Sequence, residues 1–150
     1  MLGTEITAMS VAQLSALVHG RKATPVELTD IFLQRIMQLN PHINAYVTIT
    51  AERAREDARR ATAEISAGHS RGALHGIPIG LKDLYDTAGI RTSGGAKILA
   101  DRVPTSDSTA ARKLREAGAV LLGKLNTHEL AFGVTTTNPH FGTTHNPVET

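Results

Sequence analysis

The sequence predicts an α/β protein, and three observations carry that reading. Residues up to about 67 form capped segments with helical apolar spacing. Beyond residue 72 the pattern turns into short apolar runs separated by a further capped segment. No apolar run reaches the length of a membrane-spanning helix, so these stretches read as core.

The first predicted helix starts at Ser10. Ser10 and Gln13 make a capping box, and Val11, Leu14, Leu17 and Val18 follow on one face. Gly20 ends it. Thr24-Pro25-Val26-Glu27 is a stronger start, with a cap, a proline at the first helical position and a glutamate at the third. Leu28, Phe32, Ile36 and Leu39 form its stripe, and Asn40-Pro41 is the predicted end. A third helix is predicted over 51–67, with Ala51, Ala54, Ala58, Ala61 and Ile65 on a narrow face suited to close packing. Its other face interleaves Glu52, Glu56 and Glu64 with Arg53, Arg55, Arg59 and Arg60, which reads as solvated and not as an RNA surface.

Residues 68–72 form a polar linker, and the strand period begins after them. Ile77–Leu81 is a predicted strand. Ser106-Asp107-Ser108 caps a helix carrying Ala111, Leu114 and Ala117, which Gly118 ends. Val120-Leu121-Leu122 reads as a short buried strand, Thr127 as the cap of a last helical turn through Phe132, and the remainder as loop. Residues 1–67 are thus expected to be a helical part and 73–150 an α/β part of one domain portion.

Composition narrows the function classes. Apolar residues are 41% of the 150, but aromatics are only 3%, so the core must be small and aliphatic. A formal charge of +2 is too weak to signal nucleic acid or an anionic membrane. The absence of cysteine excludes disulfides, thiol nucleophiles and cysteine-type zinc sites in these residues. The N-terminus lacks the basic start and apolar run of a secretory signal, and a cytoplasmic protein is the expectation.

Lys82 is the leading candidate for chemistry. It ends Gly76-Ile-Pro-Ile-Gly-Leu-Lys82-Asp83, where alternation sets Ile77, Ile79 and Leu81 on one face and Pro78, Gly80 and Lys82 on the other. Small neighbours and a greasy layer behind are a way to half-bury an amine. A lysine must fall by roughly 3 pH units from about 10.4, or about 4 kcal/mol, to serve as a neutral base. The plain alternative is a strand-edge lysine reaching to water.

Other candidates are weaker. Gly118 to Lys124 fits half of a phosphate loop, but an apolar run fills its middle and Leu125 stands where a magnesium-holding hydroxyl is needed. The histidines, including His75, His128, His140 and His145, show no helical metal-ligand spacing, and no metal is expected. Ser93 lacks a nucleophile elbow, so Gly94 and Gly95 read as a tight turn. Asp83 reads as fixing its own turn and is given no catalytic role.

Several blocks in order then resemble the amidase signature family: residues 76–90, Thr92-Ser-Gly-Gly95, Asp107-Ser-Thr-Ala110, residues 116–126, Glu129-Leu-Ala-Phe-Gly133, Asn138-Pro-His-Phe-Gly142 and Asn146-Pro147. The resemblance runs from about Ser10 to Thr150. It implies N-terminal helices followed by the first strands of a mixed sheet flanked by helices. It also implies amide hydrolysis by a serine, a second serine on a cis peptide bond, and a lysine, of which Lys82 matches the lysine. Both serines belong to a Gly/Ser-rich signature after the Asn-Pro motif, so the 150 residues are expected to be the N-terminal third of an amidase and inactive alone. Ala131, Phe132 and Gly133 match a region that lines the acyl pocket in some members, the plain alternative being that Phe132 is core. The resemblance calls for no cofactor, a small amide substrate, no direct nucleic-acid or membrane partner, and leaves a homodimer open. The run Thr135-Thr-Thr-Asn-Pro-His140 favours a free-standing amidase over the glutaminase subunit of a tRNA-dependent amidotransferase. A third reading is a non-catalytic fragment or interaction module.

Overall fold

The computed structural model describes residues 2–148. Its helices are α1 (Leu2–Thr7), α2 (Val11–His19), α3 (Pro25–Ile43), α4 (Ala51–Ser66) and α5 (Thr109–Glu116), and its strands β1 (Tyr46–Ile49), β2 (Pro78–Lys82) and β3 (Val120–Leu125). The strands form one sheet in the order β1-β3-β2. β1 runs antiparallel to β3. Ile77 O accepts from Val120 N–H at 2.9 Å and Leu125 O from Asp83 N–H at 3.0 Å. The two bonds advance along both strands together, so β2 and β3 are parallel and the sheet is mixed, as expected.

The chain divides into two compact units. The first comprises residues 1–35, 50–79 and 113–122. Its core joins Leu14, Val18, Leu28 and Ile77, with Ile6, Met9, Phe32 and Ile65 packed against them. The capping box of α2 is formed as predicted: Ser10 Oγ accepts from Gln13 N–H, and the Gln13 side chain accepts from Ser10 N–H at 2.8 Å. Ala54, Ala58 and Ala61 are buried along α4, so the alanine stripe faces inward. His75 is buried and its Nε2 lies 3.0 Å from Glu64 Oε2, while its Nδ1 accepts from Arg71 N–H at 3.2 Å.

The second unit comprises residues 36–49, 80–112 and 123–150. Here the structure corrects three sequence expectations. First, α3 continues past Pro41: Asn44 N–H still reaches Asn40 O at 2.8 Å, and Asn44 ends the helix in the left-handed region at φ +50°. Proline therefore costs one bond in the last turn without stopping it. Second, β1 lies inside the stretch read as helical, and β3 continues through Leu125. Third, the turn predicted from Thr127 to Phe132 is a 3-10 turn at Glu129–Ala131 whose Leu130 is not helical.

A bulge interrupts the β1 register between Tyr46, opposite Leu125, and Thr48, opposite Lys124. Val47 O, left out of the ladder, accepts instead from Arg91 Nη2 at 2.5 Å. The Arg91 guanidinium also lies 5.5 Å from the centre of the Phe141 ring, tying the C-terminal loop to β1. Among the described residues no helix is long and apolar enough to cross a membrane.

Candidate functional site

The ends of β2 and β3 carry two lysines on opposite faces of the sheet, and they have opposite environments. On one face lie Gly80, Lys82 and Leu125. A Cβ on Gly80 would stand 3.0 Å from both Leu125 Cδ2 and the Tyr46 hydroxyl, so Tyr46 shares this face. Alternation puts Lys82, two residues on, beside them. On the other face lie Leu81, Asp83 and Lys124.

Lys82 is exposed, and the expected half-burial is not found among the described residues. The reason is its place at the end of β2, the outer strand in the order β1-β3-β2. The greasy layer behind it is present, with Ile77 and Leu81 buried as the alternation requires.

Lys124 is fully buried. Its Nζ donates to Tyr85 O and to Thr92 Oγ1, each at 2.7 Å, and stands 3.6 Å from Asp83 Oδ1. Burial draws this amine below the usual lysine range, while the Asp83 carboxylate works against that pull. Asp83 Oδ2 accepts from Ser93 N–H at 3.0 Å and from the Ser93 hydroxyl at 2.5 Å. The backbone closes the same arrangement, since Asp83 O accepts from Gly94 N–H and Lys82 O from Tyr85 N–H, at 3.0 and 3.1 Å. Asp83, Thr92 and Ser93 are all buried. The Lys82–Tyr85 turn is thus gripped from the face opposite the Lys82 side chain, and the Asp83 carboxylate, read from the sequence as fixing its own turn, instead reaches Ser93 and Lys124 on other segments.

The remaining candidates fall into place around this grip. Ser93 is buried, donates its hydroxyl to Asp83 and receives Gly95 N–H at 3.1 Å, so the hydroxyl is spent within the fold. Gly94 and Gly95 sit at φ +62° and +69°, the left-handed conformation a tight turn requires. Gly118 ends a helix and Gly123 lies in β3, so the partial phosphate-loop match has no phosphate cradle. His128 lies 3.4 Å from Thr135 Oγ1, and His140 lies 3.5 Å from Glu129 Oε1. No cluster of potential metal ligands occurs among the described residues.

Ala131, Phe132 and Gly133 lie beyond the Gly94 turn. Leu130 N–H donates to Gly94 O at 2.7 Å, which fixes where this segment departs. Leu130 and Ala131 both hold left-handed backbone, at φ +49° and +55°, a strain of about 1 kcal/mol or more at each. Phe132 is 91% exposed, so it is not core. Sequence reasoning missed the role of Lys124. The available signal was a lysine inside an apolar strand, in a chain where an aspartate follows directly on another strand.

Comparison with known proteins identifies the family. Residues 27–150 match the family model described as Amidase. A glutamyl-tRNA(Gln) amidotransferase subunit from Salinispora tropica is 41% identical over 144 residues, 96% of this chain and 29% of the relative. The native peptide amidase from Stenotrophomonas maltophilia superposes with a TM-score of 0.85 at 34% identity, covering 93% of this chain and 30% of that one. A fatty acid amide hydrolase superposes at 0.90 with 23% identity, covering 97% and 26%, a likeness of fold alone. The chain therefore spans under a third of the length of these relatives. The matched residues include all but the first two residues of α3, the whole sheet and both lysines, and on that basis the chain belongs to the amidase family.

Proposed function

We propose that the protein carrying this chain hydrolyses a carboxylic amide to the acid and ammonia or an amine, with Lys82 as the base of a serine–cis-serine–lysine triad. The observation that supports it best is the Lys82 turn. Its backbone is held by buried bonds from one face while the side chain is free on the other. A neutral Lys82 amine takes the proton of the bridging serine, and that serine takes the proton of the nucleophilic one. The alkoxide adds to the amide carbon, the C–N bond breaks as a proton is returned to the leaving nitrogen, and water then attacks the acyl-serine ester to release the acid and restore the serine. Ala131, Phe132 and Gly133 would meet the acyl part of the substrate, with exposed Phe132 offering apolar surface. A small-molecule substrate and a cytoplasmic setting go with this reading.

The test is turnover in the protein that carries the Gly/Ser signature. Lys82→Ala is expected to lower kcat by at least about 10²–10⁴. Lys82→Arg fails as well, because a guanidinium stays protonated. An arginine variant working at near-normal rate would refute the base role.

A second reading has its own support. Relatives 41–43% identical to this chain are named as glutamyl-tRNA(Gln) amidotransferase subunits. In that case the ammonia released passes to a partner protein. Glutamine hydrolysis that rises on adding such a partner would favour this reading over a free-standing amidase.

A further inference from the structure

We propose that Asn138 is a positioning residue for the acyl side of the substrate site. Its side chain clasps the base of the loop that carries Ala131, Phe132 and Gly133, and holds that loop against the Lys82 turn. The inference rests on the reading of residues 131–133 as acyl-facing and adds what sets their place.

Asn138 is buried, whereas Phe132 and Val134, toward the tip of the same loop, stand almost wholly exposed. Both ends of the asparagine amide are used. Nδ2 donates to Gly95 O at 2.8 Å and to Thr127 O at 3.0 Å. Oδ1 accepts from His140 N–H at 2.8 Å and from Phe141 N–H at 3.0 Å. Pro139 has no N–H, so these are the first two amides after Asn138 that can be captured. Thr127 lies 11 residues back along the chain, so its bond to Asn138 draws together the two ends of a compact surface loop.

The other side of the clasp is equally fixed. Thr127 N–H donates to Oδ1 of Asn126, itself buried, at 2.8 Å. Both polar groups of the Thr127 backbone are therefore taken by asparagine side chains, which sets the direction in which the loop departs. Gly95 makes the approach possible. It sits at φ +69°, and a Cβ there would stand 2.7 Å from Asn138 Nδ2 and 2.9 Å from Thr127 O. Inside the loop the His128 ring lies against Gly133, where a Cβ would stand 2.6 Å from Nδ1.

The clasp also connects the loop to the chemistry. Gly94 O accepts from Leu130 N–H at 2.7 Å, while Gly94 N–H donates to the carbonyl of Asp83, next to Lys82, at 3.0 Å. The Gly94–Gly95 turn thus carries the Lys82 turn on one side and the loop on the other. Without the clasp, the left-handed stretch at Leu130 and Ala131 loses the anchor at its base, and Phe132 is free to swing. Lys82 keeps its own support, because Asp83 is still held by Ser93 and Lys124. Loss of Asn138 should therefore fall on recognition of the acyl group and spare the base.

The test compares two p-nitroanilides with the same leaving group, phenylacetyl and acetyl, in the protein that carries the Gly/Ser signature. Asn138→Asp keeps an acceptor for His140 and Phe141 and loses both donated bonds. Asn138→Ala loses all four, so either variant answers if the other fails to fold. The phenylacetyl-to-acetyl ratio of kcat/KM is expected to fall about tenfold or more, mainly through KM, the scale on which one hydrophobic contact discriminates substrates. An asparagine that serves only folding would lower the active fraction and reduce both rates alike, so an unchanged ratio overturns the proposal. Phe132→Ala separates the proposal from the reading beneath it. If Phe132→Ala lowers the ratio and neither Asn138 variant does, the clasp does not position the loop. If Phe132→Ala leaves the ratio unchanged, the acyl-facing reading itself fails and takes the proposal with it.

Discussion

Lys124→Met isolates what the buried ion pair does. Methionine nearly matches the lysine stem in volume, so the change deletes the ammonium while leaving most of the packing. Three groups then lose their partner: Tyr85 O, the acceptor side of Thr92 Oγ1, and Asp83. Asp83 matters most, because it is buried and its Oδ1 has no hydrogen bond to replace the ammonium. Breaking one side of a buried pair costs about 3–5 kcal/mol. For a chain of this size each kcal/mol moves Tm by about 2–4 °C, so the expected drop is about 6–20 °C. Urea unfolding followed by circular dichroism gives the free energy directly. Adding Asp83→Asn should recover much of the loss, because no lone charge then remains and Ser93 keeps an amide acceptor. The reasoning is wrong if Lys124→Met costs under about 1 kcal/mol, or if the double variant is as unstable as the two single losses added together.

Further outcomes follow from the same structure. Gly123→Ala should destabilise by about 1–3 kcal/mol or disrupt the β1–β3 pairing, since its Cβ would stand 2.2 Å from Thr48 O. Hydrogen exchange at β1 amides that stays as slow as in the parent chain would count against this. His75 titrates below its ordinary 6.5, chiefly through burial and against the pull of Glu64. Its folded form is the neutral one, so its contribution to stability is complete above about 6.5 and is lost as pH falls below that value. Unfolding free energy should therefore decline as pH falls below about 6.5. His75→Gln should flatten that slope, and an unchanged slope would reject the assignment. Residues 1–150 by themselves should show no turnover of an aryl amide or ester. Activity abolished by Lys82→Ala in that chain would contradict the three-residue mechanism.

What could be read from the sequence divides along physical lines. The caps at Ser10 and Thr24 and the α4 alanine stripe were legible because capping and helical periodicity are local. The order of motifs made the family legible. β1 was missed because Tyr-Val-Thr-Ile is only four residues long and gains strand character from pairing with β3. Pro41 misled because one lost bond in a last turn is tolerated when Asn44 can end the helix left-handed. Lys124 was weighed for phosphate because its partners, Asp83, Tyr85 O and Thr92, come from distant positions. Burial of a charge cannot be read until those partners are known. Lys82 is uncovered in these residues because its apolar neighbours lie behind the strand.

The two units are each assembled from three separated stretches of chain, and α3, β2 and β3 each begin in one and end in the other. This has a consequence for biosynthesis. A ribosome that has made the first hundred residues has synthesised α1 to α4, β1 and β2, but not the strand that lies between β1 and β2 in the sheet. Until β3 emerges, Ile77 and Leu81 have no neighbouring strand, and the polar backbone of β1 has no ladder. The nascent chain must therefore carry an unfinished sheet for much of its synthesis. Closure waits on pairs as remote as Tyr46 and Leu125, the kind of non-local step that slows folding and invites chaperone engagement. For the same reason no single cut frees either unit intact, so protease nicking in residues 68–72 should yield fragments that stay associated or unfold together.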